Sequence, residues 1–205
     1  MAGLAAVGVL AVLWSCQPGA TNPDPMPSNS AAPRVSIDSP DQVFPANAPD
    51  SPVQLIVAGY EVKDVDMKTN REGGLVRLVL TAHDEVLQEE HYRLDESGLY
   101  VAKMVGESFE PPLPLLKFPS NGTATLDYAG KVTVGRSVRD VKATIRTAPE
   151  VLNTLGGQFD SMKVTVALDF GAGQSRQLVF WVSPGQGVVK REYGSEATRA
   201  PAPRS

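Results

Sequence analysis

The sequence predicts an all-β domain, a single antiparallel meander of about nine or ten strands. Apolar and polar residues alternate with a period of two over several stretches, which is typical of half-buried strands. Glycine-containing turn signals separate these stretches. After Cys16 no sustained helical stripe occurs, and the best helical candidate, 149–155, is short. Because long bare strand edges aggregate, the meander must curl as a half-barrel or clam, close as a barrel, or pack as a β-sandwich.

The strands are predicted as follows. In Gln54–Met67 the apolar phase slips before Val65, which indicates a bulge or bend. Leu75–Ala82 is rich in β-branched and other apolar residues, and Leu178–Val182 is continuously apolar, as in a strand buried on both faces. Other period-two stretches are 124–128, 140–146 and 162–170.

Short loops join the strands, so neighbouring strands should be antiparallel. The turn signals lie at 95–98, 129–130, 156–157, 171–173 and 184–187. Glycine supplies the positive φ that tight turns need. The predicted structural turn residues are Gly98, Gly157, Pro184, Gly185 and Gly187. We expect Gly185 and Gly187 to fix the last hairpin through stability rather than chemistry.

The N-terminus resembles a bacterial lipoprotein signal. Residues 1–15 are uncharged and mostly apolar, too short for a spanning helix but suited to a secretory signal peptide. The sequence Leu13-Trp14-Ser15-Cys16 resembles the lipobox, whose cysteine receives a diacylglyceryl group. Cys16 is the single cysteine of the chain. The resemblance implies lipidation at Cys16, with palmitate among the acyl groups. It places the protein in the bacterial cell envelope, lipid-anchored and facing the periplasm or exterior. Gln17, which is not an aspartate, favours an outer membrane where the cell has one.

The domain boundaries follow from composition. Residues 17–52 contain nine prolines in 36 positions, with too little apolar surface to offset the entropy of ordering. We therefore expect a signal peptide over 1–15, a lipidated cysteine and disordered tether over 16–52, the β-domain over 53–195, and a disordered tail over 196–205.

Composition also limits the function. The 205 residues include 23 acidic and 19 basic ones, giving a net charge of −4, which argues against a nucleic-acid partner. One cysteine and two histidines give little material for a metal site or a bound cofactor, and we predict neither.

A family resemblance lies in the C-terminal half. The stretch Trp181–Lys190 (WVSPGQGVVK) is similar to the closing hairpin of TapB-like proteins and allied families of exported bacterial β-rich proteins of unknown function. Gly157–Val164 resembles a second hairpin of these families, and 95–100 and 112–119 also fit their pattern. The tryptophan that commonly follows the Leu-Leu-x-x-Pro element is replaced here by 120–124. The arrangement also resembles the half-barrel envelope carriers of lipids and lipoproteins, in architecture only. These families bring no catalytic residues.

The residues predict a binding module more than an enzyme. His83-Asp84, with His91 eight residues on, lacks a nucleophile on a sharp turn, and we predict no catalytic residue. The leading hypothesis is a membrane-anchored, non-catalytic module for an apolar ligand, a lipid or acyl chain. Its predicted lining is Leu113, Leu115, Leu116, Phe118, Phe180 and Trp181. The alternative is a structural or assembly protein of the envelope that acts through protein contacts on a strand edge. A hydrolase is a distant third.

Overall fold

The chain folds into a closed antiparallel β-barrel. This computed structural model describes residues 35–45, 50–154, 157–193 and 195–199. One short helix, α1 (Pro40–Val43), precedes the barrel. The strands are β1 (Ser51–Val57), β2 (Tyr60–Glu72), β3 (Leu75–Ala82), β4 (Glu85–Asp95), β5 (Gly98–Met104), β6 (Glu107–Lys117), β7 (Ala124–Val134), β8 (Ser137–Thr154), β9 (Gly157–Asp169), β10 (Ser175–Ser183), β11 (Gly187–Tyr193) and β12 (Ser195–Arg199).

Each strand pairs with the next along the chain, and β12 pairs with β1 to complete the ring. The predicted all-β fold and single antiparallel meander are therefore confirmed. Alternation determines which side chains face inward. In β9, Met162, Val164 and Val166 are fully buried, whereas Lys163 and Thr165 between them are half-buried. The β8 and β10 partners continue the same inward rows, so the barrel interior is a packed apolar core.

The strand count is higher than predicted. Gln54–Met67 is a hairpin rather than one strand, because Ala58 and Gly59 form a turn between β1 and β2. The predicted bulge is also present. Val53 pairs with Val65 and Leu55 with Val62, so β2 contains one extra residue there. The predicted helical candidate 149–155 instead lies largely in β8.

The barrel has two different ends. We call the end that bears the β2–β3, β4–β5, β6–β7 and β10–β11 connections the closed end. Residues 35–44 pack there, with Ile37 and Ser120 exchanging backbone hydrogen bonds of 2.9 and 2.8 Å. Val43 and Phe44 are buried in the core. Arg71 Nη1 donates to the Phe44 carbonyl at 2.6 Å. The opposite end, which bears the β1–β2, β3–β4, β5–β6, β7–β8 and β9–β10 connections, is called the open end.

The ordered domain extends further at both ends than the sequence predicts. The tether predicted to reach residue 52 ends earlier, because apolar side chains from Val35 to Phe44 are buried and β1 begins at Ser51. The disordered tail predicted from 196 is wrong over 196–199, which belong to β12 and pair with both β1 and β11. Non-local backbone pairing, rather than local apolar content, orders this segment.

The barrel wall is split between β6 and β7. The two strands pair only from Glu107 to Glu110, opposite 131–134. Beyond that point β6 contains Pro111, Pro112 and Pro114, which have no N–H to donate. The Tyr128 hydroxyl on β7 donates to the Pro111 carbonyl oxygen at 2.7 Å. Burial raises the pKa of Tyr128 to about 12. The wall is thus joined here by a side chain instead of a ladder.

Candidate functional site

The six residues predicted to line an apolar site do not share a cavity. Leu113, Leu115, Leu116 and Phe180 are fully buried in the packed core, and Phe118 packs against it in part. Trp181 belongs to a separate apolar cluster. Adjacent residues of a strand point to opposite faces, so Phe180 faces the interior and Trp181 faces outward. The predicted cavity near Trp181 is therefore corrected: its residues are core and outer packing.

The outer cluster explains why Leu178–Val182 is apolar on both faces. Leu152 of β8, Val179 and Trp181 of β10 and Val189 of β11 form this cluster, and Phe159 of β9 packs against it. The Trp181 indole Nε1 donates to Glu150 Oε1 at 2.9 Å. Lys163 Nζ and Lys190 Nζ lie 5.2 and 5.1 Å from the Trp181 ring centroid. Residues 112–117 do not cover this strand, because they belong to the wall strand β6.

A cleft lies at the open end, where β7, β8 and the β9–β10 connection diverge. Its volume is about 590 Å³, within the range of small-molecule sites. Val132, Val134 and Phe170 supply apolar wall. The polar lining consists of Glu107, Ser137, Arg139, Gln174, Ser175 and Arg176.

An ion pair lies at the base of this cleft. Arg176 Nη1 and Nη2 donate to Glu107 Oε1 and Oε2 at 3.0 and 2.6 Å. The Tyr193 hydroxyl also donates to Glu107 Oε2. The Arg176 guanidinium carbon lies 5.4 Å from the Phe170 ring centroid and 4.4 Å from that of Tyr193. Burial raises the pKa of Tyr193 well above its ordinary value, and the hydrogen bond to Glu107 is the second cause of the rise. This hydroxyl therefore keeps its proton at physiological pH.

Arg139 is the second cation of the cleft. Its Nη1 donates to Gln174 Oε1 at 3.2 Å, and its side chain is exposed. Glu107 neutralises one of the two guanidinium groups by bidentate pairing. The lining thus has two positive charges and one negative charge, an arrangement that favours an anion beside an apolar wall.

A second ion pair crosses the barrel interior and is sealed from solvent. Arg191 on β11 contacts Glu90 on β4 through Nε and Gln88 through Nη2. The Tyr92 hydroxyl donates to Glu90 Oε2 at 2.6 Å. Arg191 and Glu90 are 3% and 2% exposed. Only about 20 Å³ of space lies beside the pair, so it contributes to the core and offers no ligand site.

The two histidines occupy different places: His83 is in a turn and His91 is on a strand. His83 and Asp84 form the β3–β4 turn with φ of 50° and 66°. His91 Nε2 lies 2.5 Å from Glu89 Oε1 on the outer wall. Glu89 also accepts from Arg77 Nε at 2.7 Å. These hydrogen bonds lower the pKa of Glu89 to about 2, and the bond from Arg77 has the larger effect.

The predicted turn glycines lie in or beside connections. Gly187 has φ 70°, and a Cβ there would lie 2.0 Å from Phe44 Cε1. A Cβ on Gly98 would lie 2.1 Å from the Leu116 carbonyl oxygen. Gly185, in the turn with Pro184, donates its N–H to the Gln42 carbonyl at 2.6 Å. Gly157 begins β9. Two of these positions are thus required by close approach as well as by backbone conformation.

The lipobox and Cys16 lie outside the described residues. Within the described ranges, no helix is long and apolar enough to cross a membrane. Also within them, no three His, Cys, Asp or Glu side chains lie together in a way that could hold a metal ion.

Comparisons with known proteins give one structural likeness. No family model matches the chain, and no curated protein matches it. Among solved structures the chain is similar to a protein from Bacteroides fragilis described as exported and as having a YmcC-like fold. The two are 9% identical with a TM-score of 0.38, over 78% of this chain and 97% of that one. A likeness this distant does not define a function for the chain, and the TapB-like resemblance stays a prediction.

Sequence reasoning missed the open-end cleft. Glu107 lies 69 residues from Arg176 and 86 from Tyr193, so no local motif marks the cluster. One signal was available. Arg176 continues the inward row of Leu178, Phe180 and Val182 on β10. A charge in an otherwise apolar row indicates a buried partner.

Proposed function

We propose that this protein is an exported, lipid-anchored component of the bacterial envelope. We further propose that its barrel is a non-catalytic binding module for an anionic, amphipathic ligand. The ligand occupies the open-end cleft, with its anionic group toward Arg139 and its apolar part against Val134 and Phe170. The observation that carries the proposal is the cleft itself, which combines ligand-sized volume with an apolar wall and an excess guanidinium.

The proposed anchor is supported by the sequence. An uncharged apolar segment of 15 residues ends at the lone Cys16, and a proline-rich segment separates it from the domain. Two or more acyl chains give stable membrane attachment, since each buried methylene contributes about 0.8 kcal/mol.

The anchor is tested by labelling. We expect the wild-type chain to incorporate radiolabelled palmitate and to be cleaved after Ser15, and the Cys16→Ser chain to do neither. Label and carbonate-resistant membrane fractionation retained by Cys16→Ser would contradict the anchor.

The packed barrel interior supports a short amphipathic ligand rather than a long acyl chain. Because the core is filled, an acyl chain cannot enter the barrel without displacing packed side chains. The open-end cleft has room for a short amphiphile outside the packed core. A carboxylate or phosphate matches the planar donor set of Arg139, while the Arg176 guanidinium is already held by Glu107.

The ligand is tested by calorimetric titration with dodecanoate, using dodecanol as an uncharged probe of similar length. We expect dodecanoate to bind and dodecanol to bind more weakly. Loss of a charged hydrogen bond in Arg139→Gln should weaken dodecanoate binding about tenfold. Arg136→Gln is the matched control, because Arg136 lies three residues away and does not line the cleft. Equal binding of the two probes, or equal losses in the two variants, would overturn the proposed site.

A second candidate, a structural or assembly role through protein contacts, is favoured by the same filled interior. It predicts that the purified protein binds neither probe. It also predicts that crosslinking in cells yields a defined protein adduct at the exposed wall.

A further inference from the structure

The large apolar residues that are exposed gather at one end of the barrel. Of the eight in the described part of the chain, seven lie in or beside open-end turns and Leu75 lies at the closed end. The seven form what we call the apolar rim: Val57, Tyr60, Val86, Leu87, Val105, Val134 and Val138. They belong to four turns that follow one another around the ring, β1–β2, β3–β4, β5–β6 and β7–β8. An apolar surface of this kind usually marks a contact with a membrane or partner.

The Val105 conformation gives a second, independent observation. Val105 has φ 45° and is 37% exposed at the β5–β6 turn. A β-branched residue at positive φ is strained, and Asn or Gly suits such a turn better. A strained, exposed valine does not contribute to fold stability through its turn, so its apolar side chain points to a contact outside the barrel.

We propose that the apolar rim docks into the interface of the bilayer to which Cys16 anchors the chain, so that the open-end cleft faces the membrane. This inference rests on the proposed lipid anchor. It identifies the membrane as the source of the amphipathic ligand.

The chain length permits this orientation. Residues 17–34 provide 18 positions between Cys16 and the segment that packs at the closed end. Fully extended, such a segment spans about 60 Å. The 11 residues of β7 span about 36 Å along the strand. The connecting segment is therefore long enough to pass along the barrel and let the open end meet the bilayer.

The charges favour apolar insertion over attraction to anionic lipid. Asp84 lies in one of the four turns with Glu85 beside it, and Arg136 lies in another. With both signs present, the surface does not select a charged headgroup. Tyr60, 79% exposed, is of the type enriched at membrane interfaces because its ring is apolar and its hydroxyl polar.

The test places a fluorophore at each end of the lipidated full chain. Val86→Cys and Leu75→Cys are labelled with bimane and reconstituted in phosphatidylethanolamine–phosphatidylglycerol vesicles containing nitroxide-labelled lipid. Val86 and Leu75 are 60% and 45% exposed, so they are matched probes of the two ends. We expect strong quenching at position 86 and little at position 75. Quenching at neither position, or equal quenching at both, overturns the docking proposal. If neither position were quenched, the apolar rim would instead be assigned to contact with a protein partner.

The same labelling separates this proposal from its premise. A lipidated Cys16 leaves one reactive thiol in each variant, whereas an unmodified Cys16 leaves two. Two labels per chain would refute the anchor itself. One label per chain with no quenching would refute only the docking.

The Val105→Asn variant tests whether the Val105 side chain contacts the membrane or only affects the stability of the fold. Asparagine tolerates positive φ, so the melting temperature should rise by about 2–4 °C. Nitroxide quenching of the position-86 probe should fall by about half in this background, because one apolar contact is lost from the rim. A rise in melting temperature without a fall in quenching would exclude Val105 from the contact and contradict the proposal.

Discussion

The two ends of the barrel are built from the same strands but differ in what covers them. At the closed end, residues 35–44 pack into the core and Phe44 occupies space next to Gly187. At the open end, a cleft reaches the Glu107–Arg176 pair, and the turns carry exposed apolar residues. The segment that precedes β1 thus covers one end of the barrel and leaves the polar cleft at the other end.

The largest expected effect compares the open end, where the Glu107–Arg176 pair lines a cleft, with the barrel interior, where the Glu90–Arg191 pair is sealed from solvent. Arg191→Met removes the partner of the sealed Glu90 and should lower the free energy of unfolding by about 3–5 kcal/mol. Arg176→Met should lower it by only about 1–2 kcal/mol, because the Arg176 side chain is 36% exposed and water can solvate Glu107. Urea unfolding measures both.

The double variant Glu90→Leu/Arg191→Met is the control for the sealed pair. Replacing both charges with apolar groups should recover most of the loss. Equal destabilisation by the two single variants would show that the Glu107–Arg176 pair at the open end is as isolated from solvent as the Glu90–Arg191 pair in the interior.

A smaller effect is expected from the glycines of the closed end. Gly187→Ala places a Cβ against the Phe44 ring at positive φ and should cost about 2–4 kcal/mol. Gly185→Ala, at φ 71° in open space, should cost about 1 kcal/mol. Thermal or chemical unfolding gives both values.

The Phe44 contact is isolated by a double-mutant cycle. In a Phe44→Ala background, Gly187→Ala should cost no more than Gly185→Ala does, because the ring is gone. An unchanged cost would show that backbone conformation alone, without the segment 35–44, determines the requirement for glycine.

The smallest effect concerns the outer wall, which both ends share. Glu89 should titrate with a pKa of about 2, measured from side-chain carboxyl NMR shifts. A lowered folded-state pKa favours the folded state above about pH 4 and loses that contribution as the pH falls toward 2. In Arg77→Gln the pKa of Glu89 should rise. Because this carboxylate lies on the outer wall with about a third of its side chain exposed, solvent screens its ion pair and little change in stability should accompany the rise. A pKa already near 4 in wild type would contradict the bonds from Arg77 and His91.

The sequence predicted the wall of the barrel better than its ends. Leu75–Ala82 matches β3 because a run rich in β-branched and other apolar residues is a local property of the sequence. The β1–β2 turn was missed because Ala58-Gly59 lacks Pro or Asn beside its glycine. The sequence marks Val35, Ile37, Val43 and Phe44 as apolar residues that could dock on the domain. Their burial is decided by the barrel they pack on rather than by their proline-rich neighbours.

The candidate site was not predictable from local pattern. Phe180 and Trp181 were placed in one lining although period two separates adjacent residues, so that error could have been avoided. The grouping of Glu107 with Arg176 depends on closure of the ring, which brings together residues far apart in sequence. Alternation identifies inward positions but not which inward positions meet.

The central claim is that the open end is where the protein binds its ligand. The most direct measurement is the change in backbone amide NMR shifts of the full chain as dodecanoate is added. Shifts concentrated at 132–139 and 170–176 would support the claim. Shifts concentrated at 113–118 and around Phe180, with the open end unchanged, would contradict it.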